Sequence, residues 1–81
     1  MVLDQRFEDR KKMRYYRILL SQDLFGDWVV TRVWGGIGKA SGRIKHSPCS
    51  SYEDAITFIR NIAKIRIRRG YQLQEPFHQT Q

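Results

Sequence analysis

One stretch of the sequence, from Ser51 to Gly70, has the apolar spacing of an amphipathic helix. Its apolar residues recur at helical spacing and so form one stripe: Ala55, Ile56, Ile59, Ile62 and Ala63. Ser51 can cap the N-terminus, because Asp54 follows at the capping-box spacing, and Gly70 suits the C-terminal cap. A helix with one apolar stripe must bury it against a second layer, and a chain of 81 residues must supply that layer within one small domain.

The second layer is predicted to be a sheet, because the rest of the chain contains short runs rich in aromatic and β-branched residues. These runs are residues 14–20, 28–34, 43–46 and 71–73. The first two are joined by a short segment containing Gly26, which predicts an antiparallel hairpin. Residues 35–42 contain four glycines and predict a tight connection to the third run. We therefore predict an α+β domain, a small antiparallel β-sheet with one long α-helix packed across it.

The chain has room for one domain, which we predict at residues 13–74. Residues 1–12 are dense in charge and predict either an arm or a short strand, and residues 75–81 predict a polar, frayed tail. The one cysteine, Cys49, cannot form an internal disulfide, and no apolar run approaches the ~20 residues of a membrane span. The N-terminus also lacks the order of a signal peptide. We expect a soluble, cytoplasmic protein with no membrane partner.

The charge balance makes a polyanion the first partner to consider, since 15 Lys and Arg against 8 Asp and Glu give a net charge of +7. One group of cations surrounds the glycine-rich segment and the third strand: Arg32, Lys39, Arg43 and Lys45. Trp34 precedes the glycines, where a ring can stack on a sugar or a base, and Gly38 lets backbone approach a phosphate. A secondary basic patch lies at the helix end: Arg66, Arg68 and Arg69. That patch is also what a helix uses to offset its dipole, so a merely solvated face is the alternative.

The two tryptophans share one face of the predicted strand, because Trp28 and Trp34 are an even number of residues apart. Trp28 lies mid-strand, and we expect it in the core. Trp34 is predicted to end its strand, and for it the sequence leaves a core role and a stacking role open.

Other kinds of site find little support in the sequence. Gly38-Lys39 lacks the spacing of a P-loop, and the dinucleotide fingerprint fails because its last glycine position is Ser41. His46 and Cys49 lie close in sequence, but no further ligands of the right type are near enough to predict a zinc site. We predict no catalytic residue, no metal and no cofactor, and we expect that the protein is not an enzyme.

The residues around Trp34 resemble a known signature. Trp34-Gly35-Gly36-Ile37-Gly38 is similar to the W-G-R-[I/V]-G sequence of the WGR domain. The likeness runs from Arg14 to Gln72 and extends to three further groups: Tyr15-Tyr16, Glu53-Asp54-Ala55-Ile56 with Phe58, and Arg66-x-x-Arg69-Gly70-Tyr71. This family occurs as a module of poly(ADP-ribose) polymerases and as small free-standing bacterial proteins.

The resemblance implies a compact sheet with one packed helix and a role in binding DNA at a break. It implies that Trp34 lies against a terminal ribose and that Arg43, with Lys45 beside it, reaches the backbone. Gly36 stands where the signature has arginine. In the polymerases that arginine helps to join the module to neighbouring domains, so its loss affects signalling between domains more than contact with DNA.

Two functions remain open. The first is a non-enzymatic module that binds the sugar-phosphate backbone of nucleic acid without sequence readout, DNA in preference to RNA, with DNA ends as a candidate place of contact. The alternative is a protein–protein interaction module, or an accessory subunit, that uses an exposed surface of aromatic and arginine side chains. The sequence leaves open whether a single or a double strand is bound, and which oligomeric state the protein adopts.

Overall fold

The computed structural model describes residues 2–74, which form a five-stranded antiparallel sheet with one α-helix packed across it. The elements are β1 (Leu3–Asp9), β2 (Arg14–Gln22), β3 (Trp28–Gly36), β4 (Gly42–Cys49), α1 (Tyr52–Arg68) and β5 (Gln72–Gln74). The strands lie in the order β4-β3-β2-β1-β5, and every neighbouring pair is antiparallel. This arrangement confirms the predicted α+β class.

The charged N-terminal segment is an inner strand of the sheet. β1 lies between β2 and β5, and Phe7 is 1% exposed against the helix side of the sheet. Of the two alternatives that the sequence left open, an arm or a short strand, the structure has the strand. The sheet therefore begins at Leu3, before the start of the domain predicted at residue 13. The predicted tail at residues 75–81 lies outside the described residues.

Four strands differ from their predicted bounds. β2 continues beyond the predicted end at residue 20 as far as Gln22. β3 continues beyond Trp34 through Gly35 and Gly36, because these glycines still pair with β2, opposite Tyr15 and Arg14. β4 extends to Cys49, and β5 begins one position later than predicted. The tight connection between β3 and β4 is thus shorter than the glycine-rich segment.

The core lies between the sheet and α1 and contains the predicted stripe. Its buried apolar residues are Phe7, Tyr16, Ile18, Leu20 and Val30 from the sheet, and Ala55, Ile59 and Ile62 from the helix. Ile56 and Ala63 pack at its margin. The caps also form as predicted, because the backbone N–H of Asp54 donates to Ser51 Oγ at 3.0 Å and Gly70 has a φ of +99°. Within the described residues no helix is both long and apolar enough to cross a bilayer.

The acidic residues Asp4 and Glu8 of β1 form ion pairs, one of which reaches β2. Glu8 accepts hydrogen bonds from Arg6 Nε at 2.8 Å and from Arg10 Nε at 2.9 Å. Asp4 accepts from Arg17 Nη2 at 2.6 Å, across the β1–β2 pair. The hydrogen bond from Arg6 lowers the pKa of Glu8, and that from Arg17 lowers the pKa of Asp4.

Candidate nucleic-acid interface

The helix side of β3 and β4 brings the predicted aromatic residue and the predicted cations together. Trp34 pairs directly with Arg43, and Arg32 pairs directly with Lys45. Directly paired residues of antiparallel strands point to the same side of the sheet, and this side is the one on which Val30 is buried by the helix. Four of the six predicted binding residues therefore form one strip.

Trp34 lies at the margin of the core. Its ring is stacked on Tyr16, with the ring centroids 5.6 Å apart and an angle of 14° between the planes. The residue is half-buried and packs against the core without being part of its buried set. The prediction that Trp34 ends its strand is wrong, because Gly35 and Gly36 prolong β3 by pairing with β2.

Arg43 and Lys45 are both exposed, and both lie on β4, the edge strand of the sheet. Arg32 lies one strand further in and is half-buried. Its guanidinium carbon is 5.4 Å from the centroid of the Phe58 ring, and its Nε is buried without a hydrogen-bond partner among the described residues. The strip thus has two cations on its rim and one held over an aromatic ring.

The three arginines of the helix-end patch lie in different surroundings. Arg66 faces the sheet, where its guanidinium carbon lies 4.6 Å from the Tyr16 ring centroid and 5.4 Å from that of Tyr71. Arg68 and Arg69 are exposed. Because Tyr16 also stacks on Trp34, Arg66 is one ring away from Trp34, a connection that no local sequence pattern predicts. Its Nε, like that of Arg32, is buried and unpartnered within residues 2–74.

The turn between β3 and β4 carries the remaining two candidates. Gly38 has a φ of +80°, and Lys39 next to it is exposed. The backbone N–H of Lys39 donates to the Gly36 carbonyl at 3.1 Å, and that of Ile37 donates to the Met13 carbonyl at 2.8 Å. Both of these amides are therefore engaged within the protein, and the exposed Lys39 side chain is a group that this turn can offer to an anion.

The electrostatics of the strip are one-sided. Between Asp27 and Glu53 the sequence has no acidic residue. The ion pairs found among residues 2–74 involve Arg6, Arg10 and Arg17, and none involves a cation of the strip. Its charges are consequently available to an external anion.

Sequence reasoning missed the aromatic side chains that support the strip. Tyr16 and Tyr71 flank Arg66, and Phe58 underlies Arg32. The signal for Tyr16 was its strand parity with Ile18 and Leu20, which places it on the core side. The contacts of Phe58 and Tyr71 depend on how the helix crosses the sheet, and no local pattern encodes that.

Trp28 differs from the predicted core residue in degree. It packs against the core but is half-buried, and its ring meets that of Tyr52 edge to face at 5.1 Å. The prediction that Trp28 lies mid-strand is wrong, because Trp28 begins β3, at the opposite end from the glycines and outside the strip.

The residues considered for metal chemistry lie apart. Among residues 2–74 no group of three or more His, Cys, Asp or Glu side chains is arranged to hold a metal ion. His46 Nδ1 lies 2.9 Å from Thr31 Oγ1 on the side of the sheet away from the helix, whereas Cys49 packs at the core margin.

Comparison with known proteins identifies the family. The sequence-family model of the WGR domain matches residues 1–78 of this chain. The uncharacterized protein y4dW of Sinorhizobium fredii is 32% identical over 63 residues, and the match covers 78% of this chain and 30% of that protein. No solved structure matches the chain. The chain belongs to the WGR family, whose domain is generally a nucleic-acid-binding module and not a catalytic one.

Proposed function

We propose that this protein binds the sugar-phosphate backbone of nucleic acid along the helix side of β3 and β4. The observation that carries the proposal is the direct pairing of Trp34 with Arg43 and of Arg32 with Lys45. Lys39, in the turn beyond, extends the same cationic surface. An aromatic ring next to unpaired cations is the combination that holds a sugar-phosphate chain.

Three members of the strip and the residues that support them have distinct roles in the proposal. Arg43 and Lys45, both exposed on the edge strand, bind phosphates. The Trp34 ring packs on a sugar or a base, and its Tyr16 partner holds it parallel and in place. Arg66 supports Tyr16 from the helix and adds positive potential.

The same geometry favours binding without base readout. The proposed contacts come from strands and from the turn between them, and the proposal places no helix in a major groove. Phosphate contacts fix position and carry no base information. DNA is the proposed ligand in preference to RNA, and a strand end is the proposed place of contact, on the likeness to the polymerase module.

A salt titration of a matched pair of double variants tests the phosphate contacts. Arg43→Gln with Lys45→Gln removes two rim cations of the strip, and Arg60→Gln with Lys64→Gln removes two exposed cations from the helix. Fluorescence anisotropy on labelled duplex DNA gives the slope of log affinity against log salt. The strip variant should flatten this slope by ~1.8, two phosphate contacts' worth, and the helix variant should change it much less.

Comparisons between nucleic-acid ligands test the proposed preferences for DNA and for a strand end, and the proposed lack of base readout. Affinity for a blunt duplex should exceed that for a closed dumbbell of the same sequence, and for an RNA duplex of that sequence. Permuting the base sequence should leave the affinity unchanged. An unaltered salt slope in the strip variant would remove β4 from the site, and equal changes in both variants would mean a diffuse cationic surface.

A further inference from the structure

The turn between β2 and β3 exposes two adjacent apolar side chains. Leu24 is 99% exposed and Phe25 is 89% exposed, so neither packs on the domain that carries it. Single exposed apolar residues are ordinary, but a neighbouring leucine and phenylalanine expose a larger apolar surface, of the kind that often belongs to an interaction site. We call residues 23–27 the apolar tip.

The backbone of the apolar tip is fixed by its own hydrogen bonds. Asp23 Oδ1 accepts from the backbone N–H of Phe25 at 2.9 Å and from that of Asp27 at 3.0 Å. The Asp23 N–H donates to the Asp27 carbonyl at 2.9 Å, and the Gly26 N–H to the Asp23 carbonyl at 3.1 Å. Gln22 Nε2 adds a bond to the Gly26 carbonyl at 3.0 Å. The tip is thus ordered before it meets a partner, which lowers the entropy cost of binding.

The electrostatics around the apolar tip are the reverse of those at the nucleic-acid strip. All 15 Lys and Arg residues lie outside residues 18–31 and 46–59. These two segments form the tip, the adjoining ends of β2, β3 and β4, and the first half of α1. They carry four acidic residues instead: Asp23, Asp27, Glu53 and Asp54. Phosphate, whether of nucleic acid or of an anionic lipid surface, is repelled from this end.

The cavity that the described residues form at the basic end of the chain does not match the apolar tip of a second copy. The cavity there, between β1 and the residues after α1, is lined by Glu8, Asp9, Arg10, Lys11, Gly70 and Gln72. No aliphatic or aromatic side chain lines this cavity, which therefore lacks the side chains that would bury Leu24 and Phe25.

We propose that the apolar tip docks into an apolar pocket, bordered by lysine or arginine side chains, on a second protein. Phe25 and Leu24 fill the pocket, and Asp27 and Glu53 face its basic border. The docking leaves the nucleic-acid strip open, because Trp34 and Trp28 lie at opposite ends of β3 and the tip adjoins Trp28. The domain would then connect nucleic acid at one end with a protein at the other.

Site-specific crosslinking followed by reconstitution tests the proposal. The photoreactive residue p-benzoylphenylalanine replaces Phe25 in cells of the source organism, and the crosslinked protein is identified and purified. Its affinity for the unmodified chain is then measured by calorimetry. Leu24→Ser with Phe25→Ser should weaken binding by ~10-fold or more, because two anchor side chains are lost. Asp27→Asn with Glu53→Gln should weaken it less and reduce its dependence on salt.

Two controls separate this interface from the rest of the molecule. Ile67→Ser removes an apolar residue that is 57% exposed at the basic end, and it should leave the affinity unchanged. Arg43→Gln with Lys45→Gln should weaken DNA binding and leave protein binding intact, so failure of either function is recognised separately.

Four outcomes overturn the proposal. The first is the absence of a crosslinked protein, and the second is an unchanged affinity in the Leu24→Ser and Phe25→Ser double variant. The third is self-association of the unmodified chain that is lost in this double variant. The fourth is binding of the unmodified chain to DNA or to phosphatidylserine vesicles that is lost in the double variant. The third would assign the tip to a second copy of the chain, and the fourth to nucleic acid or lipid.

Discussion

Gly36 and Gly42 flank Trp34 in one corner of the sheet but differ in what a larger side chain would meet. A Cβ at Gly36 would approach only the Lys39 side chain closely, at 2.7 Å from its Cγ, and Lys39 is exposed and able to move. A Cβ at Gly42 would lie 2.9 Å from both the Trp34 carbonyl oxygen and the Tyr15 hydroxyl. The first glycine is therefore replaceable, whereas the second is required by close packing.

Restoring the signature arginine should strengthen nucleic-acid binding. Gly36 shares the strip's side of β3 with Trp34, and its φ is not positive, so Gly36→Arg adds a cation next to the ring without backbone strain. The log–log salt slope for duplex DNA should steepen by ~0.9. Gly36→Gln is the control of similar reach without charge, and its slope should equal that of the unmodified chain. A weaker affinity in Gly36→Arg than in Gly36→Gln would contradict the proposed strip.

Gly42→Ala should instead destabilise the fold. The added methyl group would lie too close to the Trp34 carbonyl oxygen and the Tyr15 hydroxyl, which cannot both move away. Such overpacking costs ~1–3 kcal/mol. Urea unfolding followed by tryptophan fluorescence gives the loss in free energy of unfolding. A stability equal to that of the unmodified chain would show that β3 and β4 can separate at this point at no cost.

Trp34→Ala should weaken nucleic-acid binding while the domain stays folded. Loss of the stacking ring costs ~1–3 kcal/mol of binding free energy. It also removes the ring pair with Tyr16, which costs ~0.5–1.5 kcal/mol of stability beyond lost burial, so binding must be measured well below the melting temperature. Trp28→Ala is the comparison, because this half-buried ring should lower stability and leave DNA affinity unchanged. A reversed pattern would mean that the two tryptophans exchange roles.

At the scale of elements, the acidic residues of β1 tie its stability to pH. The folded-state pKa of Glu8 lies below its ordinary value of 4.5, so the stabilisation is present above that pH and is lost as pH falls through the folded pKa. Glu8→Gln should cost about 1 kcal/mol at neutral pH, because Arg6 and Arg10 lose a shared charged acceptor.

The pH dependence distinguishes this effect from a general loss of packing. On acidification below pH 4.5 the unmodified chain should lose more stability than Glu8→Gln, so their unfolding curves should converge. Asp4→Asn should have a smaller effect on stability, because the side chains of both Asp4 and Arg17 are exposed, whereas that of Glu8 is buried. Parallel pH profiles for all three proteins would contradict the role of Glu8.

The helix was the most predictable element. Its stripe, its Ser51 cap and its terminal Gly70 all follow from local spacing, and the structure has each of them. β1 was not predictable as an inner strand, because its helix-side residues include Gln5 and Asp9 beside apolar Leu3 and Phe7. That strand is buried by β5 and α1, which reach it only through the fold.

For the candidate site, the sequence predicts which residues of one strand share a side of the sheet, but not which residues of neighbouring strands are paired. Strand periodicity alone puts Arg43 and Lys45 on one side of β4. Their pairing with Trp34 and Arg32 depends on how the glycine-rich connection turns, which many backbone paths could satisfy. The packing of Arg66 on Tyr16 depends on the crossing of α1 over the sheet and has no local signal.

At the scale of the whole molecule, the exposed cations at the helix end should act through the long-range field. Arg68→Gln with Arg69→Gln leaves the strip intact but lowers the positive potential of that end. Association with DNA, measured by stopped flow, should slow, while the equilibrium salt slope changes less than in Arg43→Gln with Lys45→Gln. A slope change as large as that of the strip variant would extend the phosphate contacts to the helix end.

The pairing of the first and last described strands has a mechanical consequence. β1 begins at Leu3 and β5 ends at Gln74, and the antiparallel pairing of Arg6 with Gln74 brings these two ends to the same border of the sheet. Tension applied across the two ends therefore peels β5 from β1 one pair at a time, as a zipper opens, instead of shearing the whole ladder. A tether that strains the domain would release this short strand first and leave the Trp34 strip, on the far side of β2, under no load.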